Sequence, residues 1–146
     1  MSNSKINIIN NIIIINNKKY YNNTKFLLEI KESQVPNAGL GLFTKQKIRK
    51  NQLIGTYGGT LIKVKKEEYD PDYSIEINSR YVIDGSKYPR PFTSIINDAI
   101  NSSFTNNCEF IIDVEKKQAE LRATRTIKEG EELFIDYGEE YWTTRQ

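Results

Sequence analysis

Short apolar runs rich in β-branched and aromatic residues recur along this 146-residue chain, and Gly, Pro, Asn or Asp cuts each one early. Residues of the first kind suit the pleated surface of a strand, and those of the second suit turns. Residues 26–30, 73–77, 80–85, 108–114 and 119–127 read as strands. Residues 53–62 read as two strand pieces with a glycine break, Tyr57 standing directly before Gly58-Gly59. The runs at 73–77 and 80–85 flank Asn78-Ser79 and predict a hairpin. Only 63–70 and 92–100 leave room for a short helical turn, centred in the second case on Ile95-Ile96-Asn97-Asp98-Ala99. Many short strands, few helices and no internal repeat predict a mostly β domain of small sheets or a partial barrel.

Length allows one domain with a core of its own. Its first 24 residues differ from the rest: between Met1 and Asn23, eight residues are Asn and seven are Ile. Such biased segments are usually disordered, so residues 1–24 are expected to be a low-complexity, disordered tail and 25–146 the domain, although the Ile run leaves a strand open. No apolar run reaches membrane-spanning length, and no secretory signal pattern is present. Net charge is +2, too weak to argue for nucleic acid. One Cys, Cys108, excludes an internal disulfide and suits a reducing, intracellular setting, nuclear or cytoplasmic. There is no His. Zinc chemistry and His-assisted hydrolysis are therefore disfavoured, no metal site is expected, and proton chemistry falls to Tyr, Asp, Glu or Lys.

Near the C-terminus, Gly130 opens the run Glu131-Glu132-Leu133-Phe134-Ile135-Asp136-Tyr137-Gly138. Strand alternation would put Leu133, Ile135 and Tyr137 on one face, and apolar Phe134 implies that both faces are covered. Tyr137 then directs a phenol into a mostly dry place, where its hydroxyl needs a partner. A core tyrosine bonded to a backbone carbonyl is the plainest reading of that segment alone. Gly39-Leu40-Gly41 lacks the third glycine and following helix of a dinucleotide fingerprint. It reads as a glycine-rich turn that lets a ligand approach the backbone.

In order and spacing, Gly39-Leu40-Gly41, Tyr57-Gly58-Gly59, Tyr81-Val82-Ile83-Asp84-Gly85, Ile96-Asn97-Asp98 and Glu132-Leu133-Phe134-Ile135-Asp136-Tyr137 together resemble the SET domain of protein lysine methyltransferases across about residues 26–142. The small size without Cys-rich flanks is similar to the minimal SET proteins of large DNA viruses. The resemblance implies a fold of several small β-sheets with a few short helices and a C-terminal knot-like threading. It also implies methyl transfer from S-adenosylmethionine to a lysine side chain of a basic protein or peptide, such as a histone tail, and hence a chromatin role. Carried over position by position, it assigns Tyr137 and Tyr57 to catalysis. Ala38, Gly39, Leu40, Gly41, Asn97, Asp98, Tyr137 and Trp142 are assigned to the cofactor, and Tyr57, Tyr88 and Tyr141 to the substrate channel. Asp98-Ala99 stands where the family has His-Ser. Methyl transfer fits a chain without His, since a neutral amine aligned with a sulfonium methyl needs positioning more than a strong base. Glu131, Glu139 and Glu140 are expected to form an acidic channel mouth. No membrane or nucleic-acid partner is expected, and a homodimer is left open. The other readings are a SET-like binding module with weak or no catalysis, and a small barrel that binds peptide or nucleic acid.

Overall fold

The computed structural model describes the main chain of residues 7–9, and residues 12–138 and 141 with their side chains. In chain order the strands are β1 (Asn7–Ile9), β2 (Ile12–Ile15), β3 (Lys18–Tyr21), β4 (Leu28–Glu32), β5 (Leu40–Thr44), β6 (Leu53–Thr56), β7 (Thr60–Lys63), β8 (Ser74–Glu76), β9 (Tyr81–Asp84), β10 (Arg90–Pro91), β11 (Cys108–Asp113) and β12 (Gln118–Ala123). They make four small sheets, in the orders β1-β2-β3-β10, β4-β5, β11-β12-β6 and β7-β9-β8. Single 3-10 turns occur at Pro71–Tyr73 and Phe92–Ser94. The mostly β architecture is the one expected, and the hairpin at 73–85 forms with Ile75 opposite Ile83. Its turn is fixed by Asn78, whose Oδ1 accepts from the N–H groups of Arg80 and Tyr81.

The Asn/Ile-rich stretch is not a disordered tail over its described part. β2 and β3 form an antiparallel hairpin in which Ile15 opposes Lys18. The two linking residues, Asn16 and Asn17, have φ of 51° and 66°. Positive φ at both positions is what a two-residue hairpin turn requires, and Asn tolerates it better than most side chains. The Ile run supplies β-branched strand residues, and Ile15 and Tyr20 reach the main core. β3 then runs parallel to β10, Tyr20 opposite Arg90. The composition that suggests disorder is thus also the composition of a hairpin with an apolar inner face.

The main core joins this hairpin to Leu42 of β5, Ile54 of β6, Leu121 of β12 and Leu133, the last three fully buried along with Leu42. A second, smaller cluster of Tyr57, Ile77, Ile83 and Ala119 backs the β7-β9-β8 sheet. The segment after Gly130 is covered on both faces, as expected, with Leu133 and Phe134 both buried. It is not a regular strand, because its partner changes along its length. Gly130 N–H and Leu133 N–H bond Thr44 and Leu42 carbonyls of β5. One residue later Phe134 O accepts from Asn107 and Cys108 N–H, and Ile135 N–H bonds Asn97 O at 2.9 Å. Asn107, fully buried, acts as a surrogate strand: its Oδ1 accepts from Phe134 N–H at 2.8 Å and its Nδ2 donates to Glu132 O at 2.9 Å. The helix considered at 92–100 stops after its first turn for a related reason. The Asn97 carbonyl is taken by Ile135, and the Asp98 side chain takes the Ile100 N–H.

Candidate active site

The turn before β5 and the turn after Phe92–Ser94 are brought together by Asn97, whose Nδ2 donates to Leu40 O at 2.9 Å. Gly39 has φ +77°, and a Cβ there would meet nothing within 4 Å, so glycine is required by backbone conformation at an open spot. Gly41 is required for a different reason. A Cβ there would collide with the Glu132 carboxylate, so Gly41 packs on Glu132 and is not part of the cleft wall. Glu132 is buried, accepting from Ser33 Oγ at 2.7 Å and from Gln34 N–H at 2.9 Å. Glu132 opens the last motif quoted from the sequence, but nothing there tells of its burial or of its contact with Gly41.

Two phenols face one cleft of about 1510 Å³ from different elements. Tyr57 follows β6, and its hydroxyl donates to the Tyr73 carbonyl. Tyr137 lies past the irregular segment, and its hydroxyl donates to Ile96 O at 2.6 Å. Its N–H is held by Asp98 Oδ2 at 2.9 Å. Burial is the main reason both phenols titrate well above the ordinary tyrosine value, with Tyr141 and Asp98 adding to it at Tyr137 and Arg90 opposing it at Tyr57. Both are neutral at physiological pH. With their protons committed to carbonyls, their oxygens face further ligands as acceptors.

Of the residues singled out in the sequence, Ala38, Leu40, Tyr57, Asn97, Asp98, Tyr137 and Tyr141 line this cleft together. Tyr141 sits edge-on to Tyr137, ring centroids 4.7 Å apart. Tyr88 does not line it. Half-exposed, Tyr88 packs edge-on against Tyr20 of the N-terminal hairpin at 5.7 Å, because β10 draws the 88–91 stretch alongside β3. Burial works to raise the Tyr88 phenol, but Arg90 and Tyr20 outweigh it and hold it below its usual value. Trp142, Glu139 and Glu140 lie outside the described residues. Glu131 is not at the cleft. It pairs with Arg125 at 3.1 Å beside a separate, smaller hollow.

The cleft is nevertheless acidic. Asp72, Glu76, Asp98, Glu109 and Asp136 line it, against the single guanidinium of Arg90. Arg90 is buried, bonded to Ser94 Oγ and O, and lies 4.4 Å from the Tyr73 ring centroid. A cavity with this lining in a chain of net positive charge favours cationic ligands.

The SET domain family matches residues 39–138. That span begins at the Gly39 turn and ends just past Tyr137, so it encloses both phenols and the Asn97 bridge. The chain belongs to the SET domain family. Among its relatives is a histone-lysine N-methyltransferase SETD7 of Halocynthia roretzi, 26% identical over 121 residues, which covers 75% of this chain and 31% of the relative. Histone-lysine N-methyltransferase set-17 of Caenorhabditis elegans is 29% identical, over 79% of this chain and 42% of its own length. N-lysine methyltransferase KMT5A-A of Danio rerio is also 29% identical, over 72% and 34%. The chain therefore spans less than half the length of these relatives. The SET match begins after the β2–β3 hairpin, whose Tyr20 also lines the cleft. No helix among the described residues is long and apolar enough to cross a membrane.

Proposed function

We propose that this SET-domain chain is a protein-lysine N-methyltransferase that moves a methyl group from S-adenosylmethionine to a lysine of a basic protein, a histone tail first among them. The observation that carries the reading is the pair of neutral, carbonyl-locked phenols of Tyr57 and Tyr137 on one acidic cleft. S-adenosylmethionine, when bound, supplies a methyl group on a sulfonium. Its positive charge fits the carboxylates of Asp72, Glu76, Glu109 and Asp136, which face one guanidinium. Ala38, Leu40 and Asn97 would hold it beside the Gly39 turn, with Tyr137 and Tyr141 as an aromatic wall.

The chain's own task is alignment. Faces of Tyr57 and Phe110, themselves edge-on at 5.3 Å, offer walls for the aliphatic stem of a lysine. A lysine amine has an ordinary pKa near 10.4, and desolvation between such walls lowers it toward the neutral, nucleophilic form. The Tyr137 oxygen, whose own proton goes to Ile96 O, accepts a hydrogen from that amine and turns its lone pair toward the methyl group. A methyl carbon held there would pass from sulfur to the amine nitrogen, the donor would leave as a neutral thioether, and the amine's extra proton would go to water. Carboxylates at Asp72, Glu76 and Glu109 draw in neighbouring Lys or Arg side chains of the substrate.

Calorimetry with S-adenosylmethionine, followed by mass spectrometry of a histone mixture incubated with the protein and labelled cofactor, tests the reading. Binding plus a methylated lysine is the expected result. Absence of cofactor binding at millimolar concentration overturns it, and binding without transfer favours a non-catalytic SET module.

A further inference from the structure

Asp98 lines the cleft, yet its carboxylate is turned onto the protein's own backbone. Oδ1 accepts from Ile100 N–H at 2.9 Å and from Asn106 Nδ2 at 3.3 Å. Asn106 is in turn anchored, its Oδ1 accepting from Ala99 N–H at 2.9 Å. Oδ2 accepts from the N–H of Tyr137 at 2.9 Å. The carboxylate is thus braced on one side and grips Tyr137 on the other.

The grip falls where the main chain changes its mode of support. Up to Ile135 the segment is bonded to the backbone of β5, Asn97 and the 107–108 pair and to the Asn107 side chain. Beyond it, carboxylates hold the main-chain N–H groups: Asp98 that of Tyr137, and Asp136 Oδ1 that of Gly138 at 2.8 Å. The Tyr137 hydroxyl meets the same short stretch, at Ile96 O. Residues 96–98 therefore fix the Tyr137 residue at both ends, by carboxylate at its N–H and by carbonyl at its phenol. A carboxylate accepting a backbone N–H is a charge-assisted bond, stronger and more directional than a neutral one.

We propose that Asp98 is the positioning residue for Tyr137, setting where the phenol oxygen stands relative to the reacting amine, and is not itself a cofactor ligand. This rests on the methyl-transfer reading above. Small displacements of an aligned acceptor are costly to rate and nearly silent in binding.

The test uses the full chain with Asp98→Asn and Asp98→Ala. Hydrogen exchange of the Tyr137 amide, which needs no ligand, reads the grip directly. It should speed up roughly tenfold or more in Asp98→Ala, while the Leu133 and Ile135 amides, bonded to Leu42 and Asn97, keep their protection. Single-turnover methyl transfer at saturating cofactor and peptide should fall about tenfold or more in both variants. Cofactor affinity and peptide KM should stay within about threefold. An unchanged Tyr137 amide overturns the grip. An unchanged single-turnover rate, or a loss confined to cofactor affinity, overturns the positioning role and returns Asp98 to the cofactor. If Asp98→Ala does not fold, Asp98→Asn carries the rate and affinity readouts, and its Tyr137 amide should exchange about threefold or more faster because the bond loses its charge assistance. A wild-type protein that binds no cofactor and moves no methyl group overturns the functional reading instead, and amide exchange still decides whether the grip exists.

Discussion

Residues 12–21 and residues 130–137 both close against the same core, one with a regular ladder and the other with single backbone bonds and side chains in turn. The hairpin β2–β3 pairs residue for residue, Ile12 with Tyr21 through Ile15 with Lys18. The C-terminal segment borrows partners one at a time, from β5, Asn107, Asn97 and Asp98. A ladder asks little of composition beyond β-branched residues and a turn that tolerates positive φ. An irregular segment needs particular polar groups at particular places, and each one left unpaired when buried is costly. Substitutions should therefore act by degrees in the hairpin and by site in the C-terminal segment.

The largest effect is expected in the hairpin core. Ile15→Ala removes a buried side chain and should lower unfolding free energy by about 2–5 kcal/mol, read by urea titration. A loss below about 0.5 kcal/mol, the size usual for surface sites, would show that the hairpin only rests on the domain. Its counterpart at the other end is the contact between Gly41 and Glu132. Gly41→Ala alone should cost about 1–3 kcal/mol because the new methyl collides with the carboxylate. Glu132→Ala alone leaves Ser33 Oγ and Gln34 N–H without their acceptor, at about 1–3 kcal/mol. The double variant should be less destabilised than the two losses combined, since Glu132→Ala makes room for the methyl. Strict additivity in that cycle would mean the two positions do not interfere.

Tyr137→Phe separates chemistry from support. The hydroxyl's bond to Ile96 O should contribute about 0.5–1.5 kcal/mol to stability. Loss of the acceptor oxygen should slow methyl transfer to a basic peptide about tenfold or more, near 1.4 kcal/mol in activation free energy. Equal single-turnover rates for the two proteins would leave Tyr137 a core tyrosine and nothing else.

What the sequence discloses follows the same division. β12 is visible because its burial alternates along the strand, and β8, β9 and β11 because short runs of strand-forming residues end at turn residues. Tyr137 is visible as a buried phenol in need of a partner, and the partner is a backbone carbonyl. Three features were hidden. Tyr88 leaves the channel because β3, a strand in the stretch expected to be a disordered tail, pairs with β10. Gly41 answers to Glu132, more than ninety residues away, and pattern carries no sign of that distance. The cleft's acidity draws on Asp72, Glu76, Asp98, Glu109 and Asp136, on elements far apart in sequence, while Glu131 turns away to Arg125. In each case the missing information is which non-local elements meet.

The hairpin turn gives the smallest and most local contrast. Asn16 and Asn17 hold φ of 51° and 66°, a region that costs a side-chain-bearing residue without Asn's local hydrogen bonding about 1–2 kcal/mol. Asn16→Ala and Asn17→Ala should each cost about 1 kcal/mol in unfolding free energy. Asn17→Gly should be neutral within about 0.5 kcal/mol, since glycine is the preferred residue at the second position of such a turn. Methyl transfer should be unchanged in Asn17→Gly, because the turn touches neither Tyr57 nor Tyr137. If Asn17→Gly and Asn17→Ala behave alike, backbone conformation is not what holds the turn, and the hairpin owes its place to Ile15 and Tyr20 alone. That outcome would move the N-terminal stretch toward the behaviour of the C-terminal segment, fixed by a few side chains instead of a ladder with its own turn.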